Sequence, residues 1–301
     1  MSVFQVTAEM SGIRVDKFLC KKFDISFGLA QKIIREKKIK INGARVDAAY
    51  KMEDSDQVEI FADLKKRFDT QEKRAFQGIK ISAEKVKKFK SCIIYEDDNI
   101  IAINKPSGLA TQGGSGIDIS VNDFLPLLKN KENYQLVHRL DKDTSGILLI
   151  AKNSKSAEFL TDAFKSKSIK KTYLALVHGA VKKEEGTIKI PLRKKLLGKN
   201  EKVCPDYVDG KEAITDYKVL ENFEDFALME LRPLTGRTHQ LRVHCKEIGH
   251  PILNDVKYGG KEVVRKDLCK RLCLHAYRIE MADYFGSKLK IETDVPEFIA
   301  E

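Results

Sequence analysis

The chain has 301 residues, which at roughly 100–200 residues per domain leaves room for two domains. Its 42% apolar and 33% charged residues exclude a disordered or collagenous chain, and no apolar run approaches the ~20 residues of a membrane-spanning helix. The formal charge of +11 is uneven: positions 1–90 hold 21 basic and 13 acidic residues, the other 211 positions 34 and 31. The smaller part therefore carries the excess that draws polyanions. The start, MSVFQVTAEMSGIRVDKF, has no basic patch followed by an apolar stretch, so no secretory signal is expected and the chain is assigned to the cytoplasm.

In chain order, FQVTAE reads as a short strand. From Arg14 the pattern turns helical, with Val15, Phe18 and Leu19 on one face. Ser26 is the expected cap of a second helix whose apolar side is Phe27, Ala30, Ile33 and Ile34. Ile39 and Ile41 alternate with lysines before the turn signal Asn42-Gly43, then comes Val46, and Val58 and Ile60 predict another strand. Residues 63–90 are polar and lysine-rich and read as a linker with one short helix or strand inside. The larger domain is expected from Ser91 to the end, giving boundaries of 1–62, 63–90 and 91–301.

In that larger part, CIIYEDDNIIAINKPSG predicts two strands around a turn at Glu96–Asn99, and the four glycines of GLATQGGSG predict a loop. Residues 120–128 read as helical. Residues 154–168 read as a helix capped by Ser154, with Ala157, Phe159, Leu160, Ala163 and Phe164 as its apolar set. TYLALVHG predicts a buried strand, and further strands are expected at 187–190, 213–220 and 226–231. THQLRVHCKEI reads as a helix begun by Thr238, followed by late strands in RLCLHAYRIEM and LKIETD. The sum is an α+β domain rich in strands. No GxGxxG or GxxxxGK[ST] is present, which excludes the usual dinucleotide and P-loop signatures.

Cys20, Cys92, Cys204, Cys245, Cys269 and Cys273 form no CxxC pair, and the six histidines form no HExxH or HxH cluster. Neither a disulfide framework nor a metal site is expected. The strongest local signal is YQLVHRLDKDTSGILLIAK, which sets His138, Arg139, Asp141, Lys142 and Asp143 between two apolar stretches. On residue types alone Asp141 is a nucleophile, a base, a metal ligand or a salt-bridge partner, and the segment is equally readable as a charged turn between strands. A metal-dependent nuclease would need more clustered carboxylates than Asp141 and Asp143.

Two resemblances narrow this. GIRVDKFL, AQKIIREKKIKING and DQVEI resemble the S4 RNA-binding domain, which implies phosphate contact with structured RNA by Arg14, Lys32, Arg35, Lys37 and Lys38. HRLDKDTSGILL resembles the central motif of the RluA-type pseudouridine synthases. NKPSG, KKTYLALVHG and LTGRTHQLRVH resemble three further motifs of that family, in the expected order across about 210 residues. The resemblance implies a pseudouridine synthase fold, a mixed and largely antiparallel sheet with a central cleft, behind a small S4-like domain.

It also implies the chemistry. The family's essential aspartate is Asp141, the arginine linked to holding the flipped nucleotide's place is Arg139, and the active-site tyrosine is Tyr173. Arg237 is expected to pair with Asp141, and Lys105, Pro106 and Gly108 to give structural support. Arg242 is expected to face RNA or a neighbouring carboxylate. The uridine must be flipped out, its C1′–N1 bond cut and a C5–C1′ bond formed, so no cofactor is required. Asp141 either attacks C1′ or takes the 2′ proton. His138, His239 and His244 are read as structural or RNA-contacting. The loop GLATQGGSGI resembles the RluC-like group acting on 23S rRNA. RluD-like or RluA-like targets, including tRNA, and a non-catalytic S4-type RNA-binding protein are the alternatives. A monomer with no obligatory protein partner and no membrane contact is expected.

Overall fold

The computed structural model describes residues 2–23, 27–61, 81–114, 117–128, 133–197 and 200–300. The chain divides into two compact units, Met1–Lys80 and Ile81–Glu301. The expected cap Ser26, residues 63–80 of the expected linker, and Ser115 and Gly116 of the glycine loop lie outside the described residues.

In the first unit, β1 (Ser2–Gln5) leads to helices α1 (Val15–Phe23) and α2 (Phe27–Arg35), then β2 (Ile39–Ile41) and β3 (Gln57–Ile60). The strands form an antiparallel sheet in the order β1-β3-β2. Val15, Phe18 and Leu19 from one helix meet Ala30, Ile33 and Ile34 from the other over Ile39, Ile41, Val58 and Ile60, all buried. Asn42 and Gly43 both take positive φ, 51° and 74°, as a tight turn requires. The turn does not launch a hairpin through Val46. The chain beyond it stays irregular, and Asn42 spends its amide on Asp56 (2.7 Å) and on the Gln57 N–H (2.8 Å), so β2 pairs with β3 instead.

The second unit begins ahead of Ser91. Helix α3 (Ala83–Lys90), capped by Ser82, stacks Phe89 on Phe124 with ring centroids 4.4 Å apart. Strands β4 (Ile93–Glu96) and β5 (Ile100–Lys105) follow, then α4 (Val121–Phe124), β6 (Gln135–Leu136), β7 (Ser145–Ala151), α5 (Ser154–Lys165) and β8 (Ile169–His178). Next come β9 (Glu185–Lys189), β10 (Leu192–Leu197), β11 (Asn200–Pro205), β12 (Ile214–Asn222) and β13 (Phe226–Pro233). Helices α6 (Gln240–Glu247) and α7 (Val256–Gly259), strands β14 (Leu274–Tyr284) and β15 (Ser287–Glu292), and α8 (Glu297–Ala300) complete it.

Ten of these strands form one sheet, ordered β4-β5-β7-β14-β8-β13-β12-β9, with β15 on β14 and β6 on β7. Only the β7/β14 pairing is parallel. Every residue of β7 is buried, which is why SGILLIA lacks alternation: both faces are covered. Each of Ile147 to Ile150 removed from water contributes roughly 1.5–3 kcal/mol. Gly146 is required where β7 meets β14, since a Cβ there would stand 2.3 Å from the Ala276 carbonyl oxygen.

Two expected caps are displaced. Asn153, not Ser154, caps α5, its side-chain oxygen accepting from the Ser156 N–H (2.9 Å) from one residue outside the helix. Thr238 is not the start of α6. The residue before that helix is His239, in the left-handed region at φ 52° and without a capping bond. The hairpin β10–β11 had no sequence signal, because KKLLGKNEK is lysine-rich and does not alternate.

Candidate active site

The site begins with a grip on the backbone around Asp141. Lys105, the last residue of β5, is fully buried, and its ammonium donates to the carbonyls of Pro106 (3.0 Å), Leu109 (2.8 Å) and Lys142 (3.1 Å). The Gly108 N–H donates to the same Lys142 carbonyl (2.9 Å), and Ser107 Oγ donates to the Asp143 carbonyl (2.7 Å). Thr111 Oγ1 donates to the Leu140 carbonyl (2.8 Å) and accepts from its N–H (3.1 Å). NKPSGLAT thus fastens residues 140, 142 and 143 and fixes Asp141 between them. Burial lowers the Lys105 ammonium to about 8, against the pull of Asp143 and Asp141, so it stays largely cationic at neutral pH.

Asp141 opens into a cavity of about 590 Å³ walled by residues 137–141 and Thr144, the end of α5, β8 and the segment from Pro233 to Arg242. Tyr173 enters it from β8, and burial followed by the Asp141 charge raises its phenol, so the hydroxyl stays protonated. His239 Nε2 stands 3.9 Å from Asp141 Oδ2. Its Nδ1 is 2.7 Å from the Tyr258 hydroxyl, whose oxygen accepts from the Val203 N–H (3.3 Å). In the tautomer where the Tyr258 O–H donates to Nδ1, the imidazole proton sits on Nε2, facing Asp141. Burial lowers the His239 pKa while Asp141 opposes the fall.

The expected pairing of Arg237 with Asp141 is not formed. Arg237 is exposed at the cavity wall, and its Nε donates to the Glu212 carbonyl (2.9 Å). Arg237 lies in the turn ahead of α6, where the Glu212 carbonyl takes its Nε, and the inward arginine is Arg242. Arg242 does not project to solvent for RNA, the first of its two expected roles. It is buried, and Nε and Nη2 bond both oxygens of Asp255 (2.7 and 2.6 Å), with the guanidinium 5.1 Å from the Tyr258 ring centroid. Burial opposes its charge, but the Asp255 hydrogen bonds and the charges of Asp255 and Asp141 outweigh this and raise its pKa. The cation near Asp141 is thus Arg242, held by a carboxylate 13 residues along the chain.

Arg139 lies exposed at the cavity wall with no ion pair among the described residues. His138 accepts from the Leu149 N–H (2.8 Å) and stacks on Phe164; burial, then Lys171, lowers it to about 3, so it is a neutral strut. His244 is likewise committed, to Thr215 (3.0 Å) and the Ile190 carbonyl (3.1 Å). His239, Asp255 and Tyr258 were not found by sequence reasoning as a connected set. Its one local trace is the spacing of Asp255 and Tyr258, a cap and the N–H it accepts from (3.3 Å).

The RNA pseudouridylate synthase family description matches residues 99–247, and the S4 domain matches residues 13–58. The chain is 40% identical over 293 residues to the ribosomal large subunit pseudouridine synthase C of Rickettsia felis, covering 96% of this chain and 95% of that protein. This decides the family. The chain belongs to the RNA pseudouridylate synthases. The Escherichia coli protein of the same name is 34% identical, covering 99% of this chain and 94% of that one. Among solved structures, human RNA pseudouridylate synthase domain containing 4 aligns with a TM-score of 0.61 at 26% identity, covering 75% of this chain and 95% of that one. As a pseudouridine synthase the chain is an isomerase that re-attaches uracil through carbon.

The pseudouridine synthase carries its S4 match on the first unit. There Arg14 is tied to buried Asp16 (Nη2 at 2.5 Å), and Lys32 and Lys38 face Glu36 at 4.0 and 2.5 Å. Arg35 and Lys37 are exposed and make no ion pair among the described residues.

Tyr258→Phe isolates the His239 arrangement. It removes the hydrogen bond to His239, worth about 0.5–1.5 kcal/mol, along with the longer one from the Val203 N–H away from Asp141, so turnover is expected to fall roughly two- to tenfold with KM for RNA unchanged. Steady-state kinetics on one RNA check this, and an unchanged kcat would remove His239 from the orientation of Asp141.

Proposed function

We propose that this synthase isomerises uridines of 23S rRNA in the manner of the RluC-like group, with Asp141 acting at the ribose of the flipped nucleotide. Tyr173 packs against the uracil with its hydroxyl near C5, and Arg139 holds the place the base vacates. The observation that carries the chemistry is the fixed carboxylate. Asp141 is clamped through its neighbours' backbone, faces a cavity, and has Tyr173 and buried Arg242 around it. What supports the target is the near full-length similarity to relatives named for the ribosomal large subunit. Arg35 and Lys37 of the first unit add sequence-independent phosphate contact.

Position-resolved mapping of pseudouridine in total RNA, with and without the gene, tests the target. Loss of signal at a few separated 23S uridines is expected. Loss confined to tRNA would move the target while leaving the chemistry intact.

A further inference from the structure

A second cavity, of about 570 Å³, adjoins the Asp141 pocket and shares His239 and Arg242 with it. We propose that it seats the phosphodiester backbone next to the target uridine, with Lys257, Lys266, Lys270 and Arg271 meeting phosphate oxygens. This rests on the reading of the site as an RNA uridine pocket and adds a subsite to it.

Charge is the first argument. Two carboxylates line this cavity, and Asp255 is already bound by Arg242, which leaves Asp143 against four cations. Lys266 and Lys270 are exposed and make no ion pair among the described residues. The acid beside Lys266 is not free to neutralise it, because Asp267 is taken by Arg265 at 2.7 Å. The cavity beside Lys170 and Thr172 of β8 is more nearly balanced, with Glu185, Asp216, Glu230 and Glu280 facing Lys167, Lys170, Lys171, Arg232 and Arg278, four carboxylates against five cations.

Order is the second. The segment that bears Lys266, Lys270 and Arg271 is held by Asn254, itself at φ 63°. Asn254 Nδ2 donates to the carbonyls of Cys269 (2.8 Å) and Arg271 (3.0 Å), and its Oδ1 accepts from the Arg265 N–H (2.8 Å). Arg271 rests 5.0 Å from the Phe298 ring centroid and gives one Nη1 hydrogen to Ser145 Oγ (2.8 Å), leaving other donors of its fork unused by that bond. Lys257 is likewise placed, by the Glu201 carbonyl (3.0 Å). Cations fixed before binding lose less freedom on contact. A strand whose nucleotide enters the Asp141 pocket carries a phosphate on either side of it, and of the two cavities that adjoin this pocket, this one has the larger surplus of positive charge.

The test uses the full chain, unmodified 23S rRNA transcript and the double variant Lys266→Ala/Lys270→Ala. Affinity is expected to fall at least tenfold near 0.1 M salt. The slope of log K against log salt should shrink by about 1.4–1.8, the value for two lost phosphate contacts. The single-turnover rate at saturating RNA should stay within about threefold of wild type. Equal affinity and slope would overturn the subsite, and so would weaker binding with an unchanged slope, or a lost rate with unchanged binding. If wild type binds the transcript with the steeper slope yet forms no pseudouridine in it, the 23S target fails and the subsite stands.

Discussion

Asp141→Asn is expected to lower turnover at least a thousandfold, about 4 kcal/mol of barrier, with RNA affinity within threefold of wild type. Asparagine keeps the size of the side chain and loses the charge, so it neither attacks C1′ nor takes a proton. The structure makes this a clean substitution. The Asp141 carboxylate accepts no hydrogen bond from the described residues, and the His239 imidazole stands 3.9 Å away. Its lone pairs are therefore free for substrate, and the fold does not depend on them. Melting should shift by no more than a degree or two. Single-turnover assays with digested RNA resolved by chromatography measure the rate. A variant retaining more than a thousandth of wild-type turnover would remove Asp141 from the chemistry.

That position is picked out by the resemblance of HRLDKDTSGILL to a family motif, since residue types alone leave a charged turn equally readable. HRLDKDTSG carries Asp141, and the following SGILLIA is apolar at every residue after Gly146 because both faces of β7 are covered. Tyr173 comes from the resemblance of KKTYLALVHG to a family motif, and in β8 it is half-buried just ahead of the buried run Leu174 to Val177. Lys105 was found only as structural support. A lysine ending an apolar strand gives no hint that it will bind three carbonyls across a loop from Asp141. The arginine assignment failed on a finer point. Arg237 and Arg242 sit in one stretch, TGRTHQLR, and the choice between them depends on where the helix begins. A helix opened by Thr238 would count its first turn from there. The chain instead spends Thr238 and the left-handed His239 on a turn, so α6 starts at Gln240 and presents Arg242 inward. The partner that holds it, Asp255, comes from what reads as an ordinary loop. A contact that leaves α6 and crosses the following loop to a residue 13 positions on leaves no periodicity to detect.

Arg242→Ala carries the largest expected cost in stability. Its partner Asp255 is fully buried, so the substitution strands a carboxylate away from water, at about 3–5 kcal/mol. At about 2–4 °C per kcal/mol for a domain of this size, melting should drop by roughly 6–20 °C. Arg242→Lys keeps one charge but loses the two-pronged contact and should recover only part of the melting temperature. Activity should follow a second route. Removing a cation that acts on Asp141 favours its protonated form, so the acidic limb of the rate profile should move to higher pH in both variants, further for alanine. Arg237→Ala should do neither, because its Nε bonds a backbone carbonyl at the exposed cavity wall. It should melt like wild type and lower affinity for RNA with no shift of the acidic limb. Melting curves and single-turnover pH profiles of the three variants decide the matter. If Arg237→Ala moves the limb and Arg242→Ala leaves both measurements unchanged, the charge that governs Asp141 belongs to Arg237, and substrate binding must draw that side chain inward.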